Sequence, residues 1–338
     1  MLKVGIIGMG FMGQMHFRCW QAVPGVQVAA ICDIDPAKLT AQSGTAGNIS
    51  GTEGALDFSS VERFTDAGVM LEKMQLDAVS ITLPTYLHAG YTVAALEAGV
   101  NVLCEKPMAL DPDECGRMAL AAWESGKKLQ IGHCIRFWPV YAHARKLING
   151  GAYGRVLAAT FQRLSATPTW SWQNWLMDGS KSGGAIMDMH IHDADFIQYV
   201  FGLPEGVYAR AVRGPSGEFD HVVTSYLYGD GKVVTAEGGW AMAPGFGFQM
   251  SFHIALEQAT LVYDSSRGPD LKVCPKDGEA FAAAVEPGDG YSEEIRHFAG
   301  LLQGRPVPAV ITPEESAASV RLVLAEKLSA ENGQVVYL

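Results

Sequence analysis

Positive charge is in short supply in this 338-residue chain: 25 Lys and Arg face 36 Asp and Glu, a net charge of −11 at pH 7. A surface so biased repels a phosphate backbone, which excludes nucleic acid as the main ligand. Long apolar runs are missing as well. No stretch reaches the ~18 uninterrupted apolar residues of a membrane-spanning helix, because Gly, Pro or a charged residue breaks every run, and no membrane partner is expected. Cysteine is sparse and patternless. Cys19, Cys32, Cys104, Cys115, Cys134 and Cys274 include no Cys-x-x-Cys pair, which argues against a zinc ribbon or a disulfide framework and for buried free thiols in a reducing compartment. The N-terminus, Met1-Leu2-Lys3-Val4-Gly5-Ile6-Ile7-Gly8, has no basic leader ahead of patterned sequence, so a cytoplasmic location is expected. Neither an internal repeat nor a low-complexity tract is visible.

What is present is the apolar content of a large core, 48% hydrophobic residues, in a chain long enough for two domains. Over the first third, short apolar runs alternate with helix-patterned stretches, the signature of parallel strands joined by crossover helices. Strands are predicted at 3–7, 26–32, 77–83, 100–104 and 128–132, and helices at 11–21, 86–98 and 113–125. The segment 44–60, rich in Gly, Ser and Thr, reads as loop or weak helix. After about residue 133 the pattern changes to partly alternating runs at 156–164, 207–212, 221–228, 233–240, 249–256 and 260–263, separated by turn signals such as Gly229-Asp230-Gly231. That pattern predicts an antiparallel sheet. Helices are predicted at 184–201, closed by Gly202-Leu203-Pro204, at 292–302, and from Pro313 to about Ala330 with Thr312 and Glu315 as a capping box. The expected fold class is α/β, a doubly wound parallel sheet followed by a second α/β domain.

Gly8-Met9-Gly10-Phe11-Met12-Gly13 sits where the first strand hands over to the first helix. That context gives a GxGxxG match its meaning. Gly8 permits the tight turn, Gly10 lets a pyrophosphate approach the backbone, and Gly13 lets helix and strand pack closely, with the phosphates at the helix N-terminus beside Phe11 and Met12. Asp33 ends the second strand twenty residues after Gly13, where a carboxylate accepts hydrogen bonds from the adenosine ribose and repels a 2′-phosphate. Ile34, Asp35 and Pro36 supply no Arg for such a phosphate, so NAD is favoured over NADP as cofactor.

From Lys3 onward the chain resembles the glucose-fructose oxidoreductase and inositol dehydrogenase (Gfo/Idh/MocA) family. The likeness sharpens at Glu105-Lys106-Pro107 after the strand predicted at 100–104, which is similar to the family's signature around its active-site lysine. It sharpens again at Gly183-Gly184-Ala185-Ile186-Met187-Asp188-Met189-His190-Ile191-His192-Asp193-Ala194-Asp195, similar to the family's Gly-Gly…Asp-x-x-x-His-x-x-Asp helix. The resemblance implies an N-terminal Rossmann domain and a C-terminal α/β domain with a large open, mostly antiparallel sheet. It also implies NAD(P)-dependent oxidation or reduction of a sugar or cyclic polyol, with Lys106, Asp188 and His192 as the catalytic triad, and dimers or tetramers formed through the open sheets. On this reading 1–125 is the NAD-binding domain and 126–338 the substrate-binding and oligomerisation domain. His190 departs from the pattern, since many members carry a small residue there, and implies a narrower pocket or an added substrate contact.

Read directly, the residues point to the same chemistry. Removing a hydride from a secondary alcohol leaves a protonated ketone unless a base takes the hydroxyl proton, and His192 is the candidate base. On a helix at about 100° per residue, Asp188, His192 and Asp195 fall within about 60° of one another, so Asp188 or Asp195 could hydrogen-bond the other ring nitrogen or the substrate. His190 then points elsewhere. In a strand Asp188, His190 and His192 would share a face and resemble a metal site; the helical length argues against that, and no metal is expected. Lys106, at the carboxyl end of a parallel strand, lies where open α/β sheets bind ligands, and its ammonium would hold the reacting oxygen. Glu105 either hydrogen-bonds the nicotinamide ribose or faces solvent. Leu83 and Pro84 end the strand predicted at 77–83 and His88 opens the next helix, all beside the cofactor in a doubly wound sheet. Arg163 and Trp172 are substrate candidates: the 170–175 loop follows the strand that carries Arg163, and aromatic faces stack on the C–H surface of sugars.

The expected protein is an NAD-dependent dehydrogenase acting on a secondary hydroxyl or ketone of a sugar, sugar derivative or inositol-type cyclitol, and a homodimer or homotetramer. Few Arg cluster near the proposed pocket, which favours a neutral polyol over a phosphorylated one. A nucleotide-sugar oxidase is the alternative enzyme, marked by a longer and more basic cleft. A non-catalytic dinucleotide-binding sensor is the alternative class, marked by loss of the lysine or of the Asp-x-x-x-His pair, both of which this chain retains.

Overall fold

A computed structural model describes residues 1–40 and 55–338, so most of the loop expected at 44–60 lies outside the described residues. Two compact units are present: Met1–His133 with Tyr291–Ala318, and Cys134–Gly290 with Ser319–Leu338.

The described residues of the first unit form a parallel sheet of β1 (Leu2–Ile7), β2 (Val26–Cys32), β3 (Glu62–Phe64), β4 (Ala78–Ile81), β5 (Asn101–Glu105) and β6 (Leu129–Gly132), in the spatial order β3-β2-β1-β4-β5-β6. Helices α1 (Phe11–Gln21), α2 (Ala67–Lys73), α3 (His88–Glu97) and α4 (Pro112–Ser125) lie between the strands in sequence. β4 and β6 are buried at every position, as expected of parallel strands covered on both faces. Helix limits are written locally. Asp111 caps α4 by accepting from the Glu114 N–H, Pro112 follows at its first position, and Gly126 closes it at a φ of 66°. The strand order reverses between β1 and β4, and that reversal opens a crevice at their carboxyl ends.

A boundary at 125/126 would cut β6 away from the strand with which it pairs. β6 hydrogen-bonds to β5 in parallel register from Val102↔Leu129 to Glu105↔Gly132, so the first unit runs on to His133. It also reclaims Tyr291–Ala318, which a linear reading of the chain does not reveal.

The second unit contains α5 (Pro139–Asn149), β7 (Val156–Ala166), α6 (Gly179–Ser182), α7 (Ile191–Phe201), β8 (Gly206–Arg213), β9 (Phe219–Leu227), β10 (Val233–Met242), β11 (Phe248–Leu256), β12 (Ala259–Asp264), β13 (Lys272–Pro275), β14 (Phe281–Ala282) and β15 (Val336–Tyr337). Its sheet runs β14-β13-β12-β11-β7-β10-β9-β8-β15, antiparallel throughout except where β7 meets β10. Burial alternates along the strands. On β9, Val222, Thr224 and Tyr226 are buried while Val223, Ser225 and Leu227 are not, and paired β10 shows the same alternation. The packed face holds an aromatic cluster in which Tyr141 of α5 meets Phe196 of α7 and Phe252 of β11 edge-on, each at 5.0 Å, a geometry worth about 0.5–1.5 kcal/mol per pair beyond area burial.

Two more helices complete the chain, α8 (Gly290–Leu302) and α9 (Pro313–Asn332). The capping box forms: Glu315 N–H donates to Thr312 Oγ1 at 3.2 Å and Thr312 N–H to Glu315 Oε2 at 3.3 Å. The stretch 184–201 is helical but not uniformly α, because Ile186–His190 form a π turn leading into α7. Among the described residues no helix is long and apolar enough to cross a membrane. All six cysteines are free, and all but Cys274 are buried.

Candidate active site

β1 runs straight into the glycine turn of the first unit. Gly8 has a φ of 97°, and a Cβ on it would stand 2.8 Å from the Thr82 carbonyl oxygen. A Cβ on Gly13 would collide with the carbonyl of Gly8. Turn and helix–strand packing therefore both require glycine. Gly10 is different. A Cβ there meets nothing within 4 Å, and Gly10 caps α1 without a side-chain bond to the first-turn amides of Phe11 and Met12. Open backbone at the positive end of an eleven-residue helix suits a pyrophosphate.

Hydrogen bonds hold the turn in place. Thr82 Oγ1 donates to the Gly8 carbonyl at 2.6 Å, and Gly8 N–H donates to the Cys32 carbonyl at 2.8 Å. Asp33, at the end of β2, accepts from Met9 N–H through Oδ2 at 2.7 Å and from Asp35 N–H through Oδ1 at 2.9 Å. Its carboxylate thus frames the turn as well as standing at the strand end. Ile34 beside it is 73% exposed. Leu83 lies against Gly8 and continues into Pro84 at the mouth of the same crevice.

Two residues expected beside the cofactor serve the scaffold instead. His88 is 1% exposed, with Nδ1 2.8 Å from the Pro107 carbonyl and Nε2 2.9 Å from the Leu83 carbonyl. It ties the ends of β4 and β5 together, across the cis Lys106–Pro107 peptide, rather than presenting a nitrogen to a ligand. Burial, against the pull of those carbonyls, lowers its pKa. Glu105 neither faces solvent nor projects as a ribose ligand. It is buried, with Oε1 accepting from His16 Nε2 at 2.9 Å and Oε2 from Lys106 N–H at 3.2 Å. Burial pushes its carboxyl up, but the bond from His16 and the charges of His16, Lys106 and His88 bring it below the usual range.

Sequence reasoning missed what stands behind Glu105. Trp20 Nε1 donates to Ser80 Oγ at 2.8 Å, and Ser80 Oγ lies 3.0 Å from His16 Nδ1, so a buried chain links α1, β4 and β5 just before Lys106. The available signal was His16 itself, a polar residue on the buried face of α1. His16, Glu105 and Glu294 bring possible ligand atoms within 4.8 Å of one another, and two of the three, His16 and Glu105, are hydrogen-bonded to each other.

The second unit presents the Asp-x-x-x-His segment. Among the described residues, the run 184–198 is buried at every position except Asp188 and His192. Its other ionisable side chains turn inward to partners. Asp193 takes Arg163 in a fork, Nε to Oδ2 at 2.9 Å and Nη2 to Oδ1 at 3.1 Å, with both residues buried. Arg163 is therefore not a substrate ligand: its guanidinium is spent on Asp193. Asp195 takes Arg136 the same way, at 2.8 Å on each oxygen, and Ser319 Oγ adds a bond at 2.7 Å. Both Asp195 carboxylate oxygens are thus engaged by buried partners within this unit. His190 faces Glu326, with Nε2 2.6 Å from Oε2, so it contributes no substrate contact.

In the tryptophan loop, Trp175 packs against the cluster of Leu176, Ala185, Met189 and Trp240. Trp172 is partly exposed and stands outside that cluster, next to Gln173 and Asn174, whose φ angles are 49° and 56°. Left-handed backbone at two consecutive non-glycine residues is uncommon and concentrates at functional loops.

Residues 2–133 match a family model described as an oxidoreductase family with an NAD-binding Rossmann fold, and residues 141–262 match the Gfo/Idh/MocA C-terminal domain. The chain is 30% identical over 266 residues to 2,7-anhydro-N-acetylneuraminate hydratase of Mediterraneibacter gnavus, covering 75% of this chain and 64% of that protein. To inositol 2-dehydrogenase 4 of Saccharopolyspora erythraea it is 29% identical over 311 residues, 88% of this chain and 84% of the relative. In fold it matches levoglucosan dehydrogenase in complex with NADH and levoglucosan, with a TM-score of 0.83 at 23% identity over 99% of both chains. With the two family models matched in succession along it, the chain belongs to the Gfo/Idh/MocA oxidoreductases, and its N-terminal domain is an NAD-binding Rossmann fold.

Proposed function

We propose that the protein is an NAD-dependent dehydrogenase of a secondary hydroxyl in a sugar, sugar derivative or cyclitol. The observation that carries this reading is the partial exposure of Asp188 and His192 along a run, 184–198, that is otherwise buried and whose Asp193, Asp195 and His190 face Arg163, Arg136 and Glu326. His192 takes the hydroxyl proton, Asp188 orients it, and the Lys106 ammonium holds the reacting oxygen. Gly8, Gly10 and Gly13 with the first turn of α1 cradle the pyrophosphate, and Asp33 with Ile34 takes the adenosine end. NAD supplies the hydride acceptor when bound. Trp172 offers an aromatic face to the sugar ring. The division of labour is a cofactor domain followed by a substrate and oligomerisation domain. The half-exposed sheet face carrying Val223 and Val233 pairs with a second copy in a homodimer or homotetramer, which light scattering tests. A cytoplasmic location fits the six free cysteines.

The experiment is a screen of inositols, pyranoses and glycosides as oxidation substrates with NAD and NADP in parallel, followed by NADH absorbance. A turnover with NAD is expected; tight NAD binding with no turnover of any polyol would favour the sensor. A second reading, a hydratase, is supported by the hydratase name of the Mediterraneibacter gnavus relative, which an Escherichia coli relative shares. It is distinguished by substrate loss without accumulation of NADH.

Asp33→Ala tests the cofactor end. Loss of a charge-assisted acceptor costs about 1.5–3 kcal/mol, so NAD affinity should fall roughly 10- to 100-fold, and preference for NAD over NADP should shrink. Calorimetric titration of both dinucleotides reads this directly; NAD affinity unchanged within twofold would remove Asp33 from the site.

A further inference from the structure

The π turn Ile186–His190 carries Asp188 and leads into α7, which carries His192. We propose that His190 and Glu326 are positioning residues for the oxidoreductase reaction: their buried hydrogen bond ties this turn to α9 and thereby sets Asp188 and His192 in place. The proposal rests on the assignment of Asp188 and His192 to the chemistry.

Both residues are fully buried. His190 Nε2 lies 2.6 Å from Glu326 Oε2, which also accepts from Thr224 Oγ1 at 2.8 Å, and Glu326 Oε1 accepts from the Tyr226 hydroxyl at 2.9 Å. Three donors therefore converge on one carboxylate, two from β9 and one from the π turn. A buried carboxylate needs such partners, because leaving it unsatisfied is strongly destabilising.

The sheet makes room for the histidine. A Cβ on Gly238 of β10 would stand 2.7 Å from His190 Nδ1, 2.8 Å from its Cβ and 3.0 Å from its Cα. Only glycine lets the strand approach the turn so closely. A π turn is an unfavourable local geometry that persists where its surroundings over-determine it. Here Gly238 on one side and Glu326 on the other supply that constraint. They act at His190, midway between Asp188 and His192 in sequence.

The charged and titratable groups around His190 are Glu326 of α9, Tyr226 of β9, Asp193 of α7 and Arg163 of β7. Burial opposes its charge, Glu326 and Asp193 favour it, and the net effect raises its pKa.

The test uses His190→Ala, His190→Gln and Glu326→Gln in the full chain, with the His192 imidazole titration read by NMR without substrate. NAD affinity and thermal melting report whether each variant folds. His190→Ala is expected to lower kcat about 10- to 100-fold, the scale of misplaced catalytic geometry, with KM and NAD affinity nearly unchanged. It should also move the His192 titration. His190→Gln, whose amide nitrogen still reaches Glu326 as a donor, should restore most of both. The proposal is overturned if His190→Ala and Glu326→Gln keep the wild-type kcat and His192 titration while His192→Ala is inactive. It is also overturned if activity falls only with the folded fraction. Full turnover by His192→Ala would instead overturn the site assignment and this proposal with it, an outcome the other variants do not mimic.

Discussion

His192→Ala should retain NAD binding within about twofold and lose about 10² to 10⁴ in kcat, the ordinary contribution of a general base. Lys106→Met should lose a similar factor, because an ammonium aimed at a developing alkoxide has no replacement in a thioether. The expectation follows from the burial pattern. Asp193, Asp195 and His190 flank His192 but are tied to Arg163, Arg136 and Glu326, so none of them can substitute as base without breaking a buried pair. Steady-state kinetics with the substrate found in the screen reads the loss. The pH profile separates the two variants: the His192 variant should lose the ascending limb that the base imposes on kcat/KM. Full turnover by either variant would move the acid–base chemistry elsewhere.

Arg163→Met should be among the most destabilising single changes in the second unit. It leaves Asp193 ionised and buried without its fork partner, and breaking such a pair costs about 3–5 kcal/mol. Burial works against the Arg163 guanidinium, and Asp193 and neighbouring groups hold it charged. The control is the double variant Arg163→Met, Asp193→Leu. Removing both charges abolishes the desolvation penalty together with the attraction, so much of the stability should return. Calorimetry on the single and double variants reads both effects. If the single variant loses less than about 1 kcal/mol, the fork is not the structural pair described. If instead it folds normally and KM alone rises, Arg163 returns to the substrate.

How much of this was legible in the sequence depends on distance along the chain. The glycine turn, Asp33 and the capping box at Thr312 and Glu315 were readable because each acts within a strand, a turn or one helical turn of its own position. The roles of Arg163, Asp195 and His190 were not. Their partners lie 30, 59 and 136 residues away in sequence, and periodicity says which face of a helix a residue occupies, not what meets it there. The π turn was invisible for a related reason, since the close approach of Gly238 and the Glu326 carboxylate sustain it from outside the segment. Strands of two or three residues, such as β3, β14 and β15, are too short to show alternation and exist because a neighbouring edge pairs with them.

The hydride itself gives the most direct measurement. Inositols, pyranoses and glycosides deuterated at their ring carbons are mixed with the protein and one equivalent of NAD, quenched within a single turnover, and the dinucleotide is weighed by mass spectrometry. One deuterium transferred to the nicotinamide by the native chain, and none by His192→Ala, is the expected result. NAD held tightly with no label acquired from any of these polyols would contradict the account.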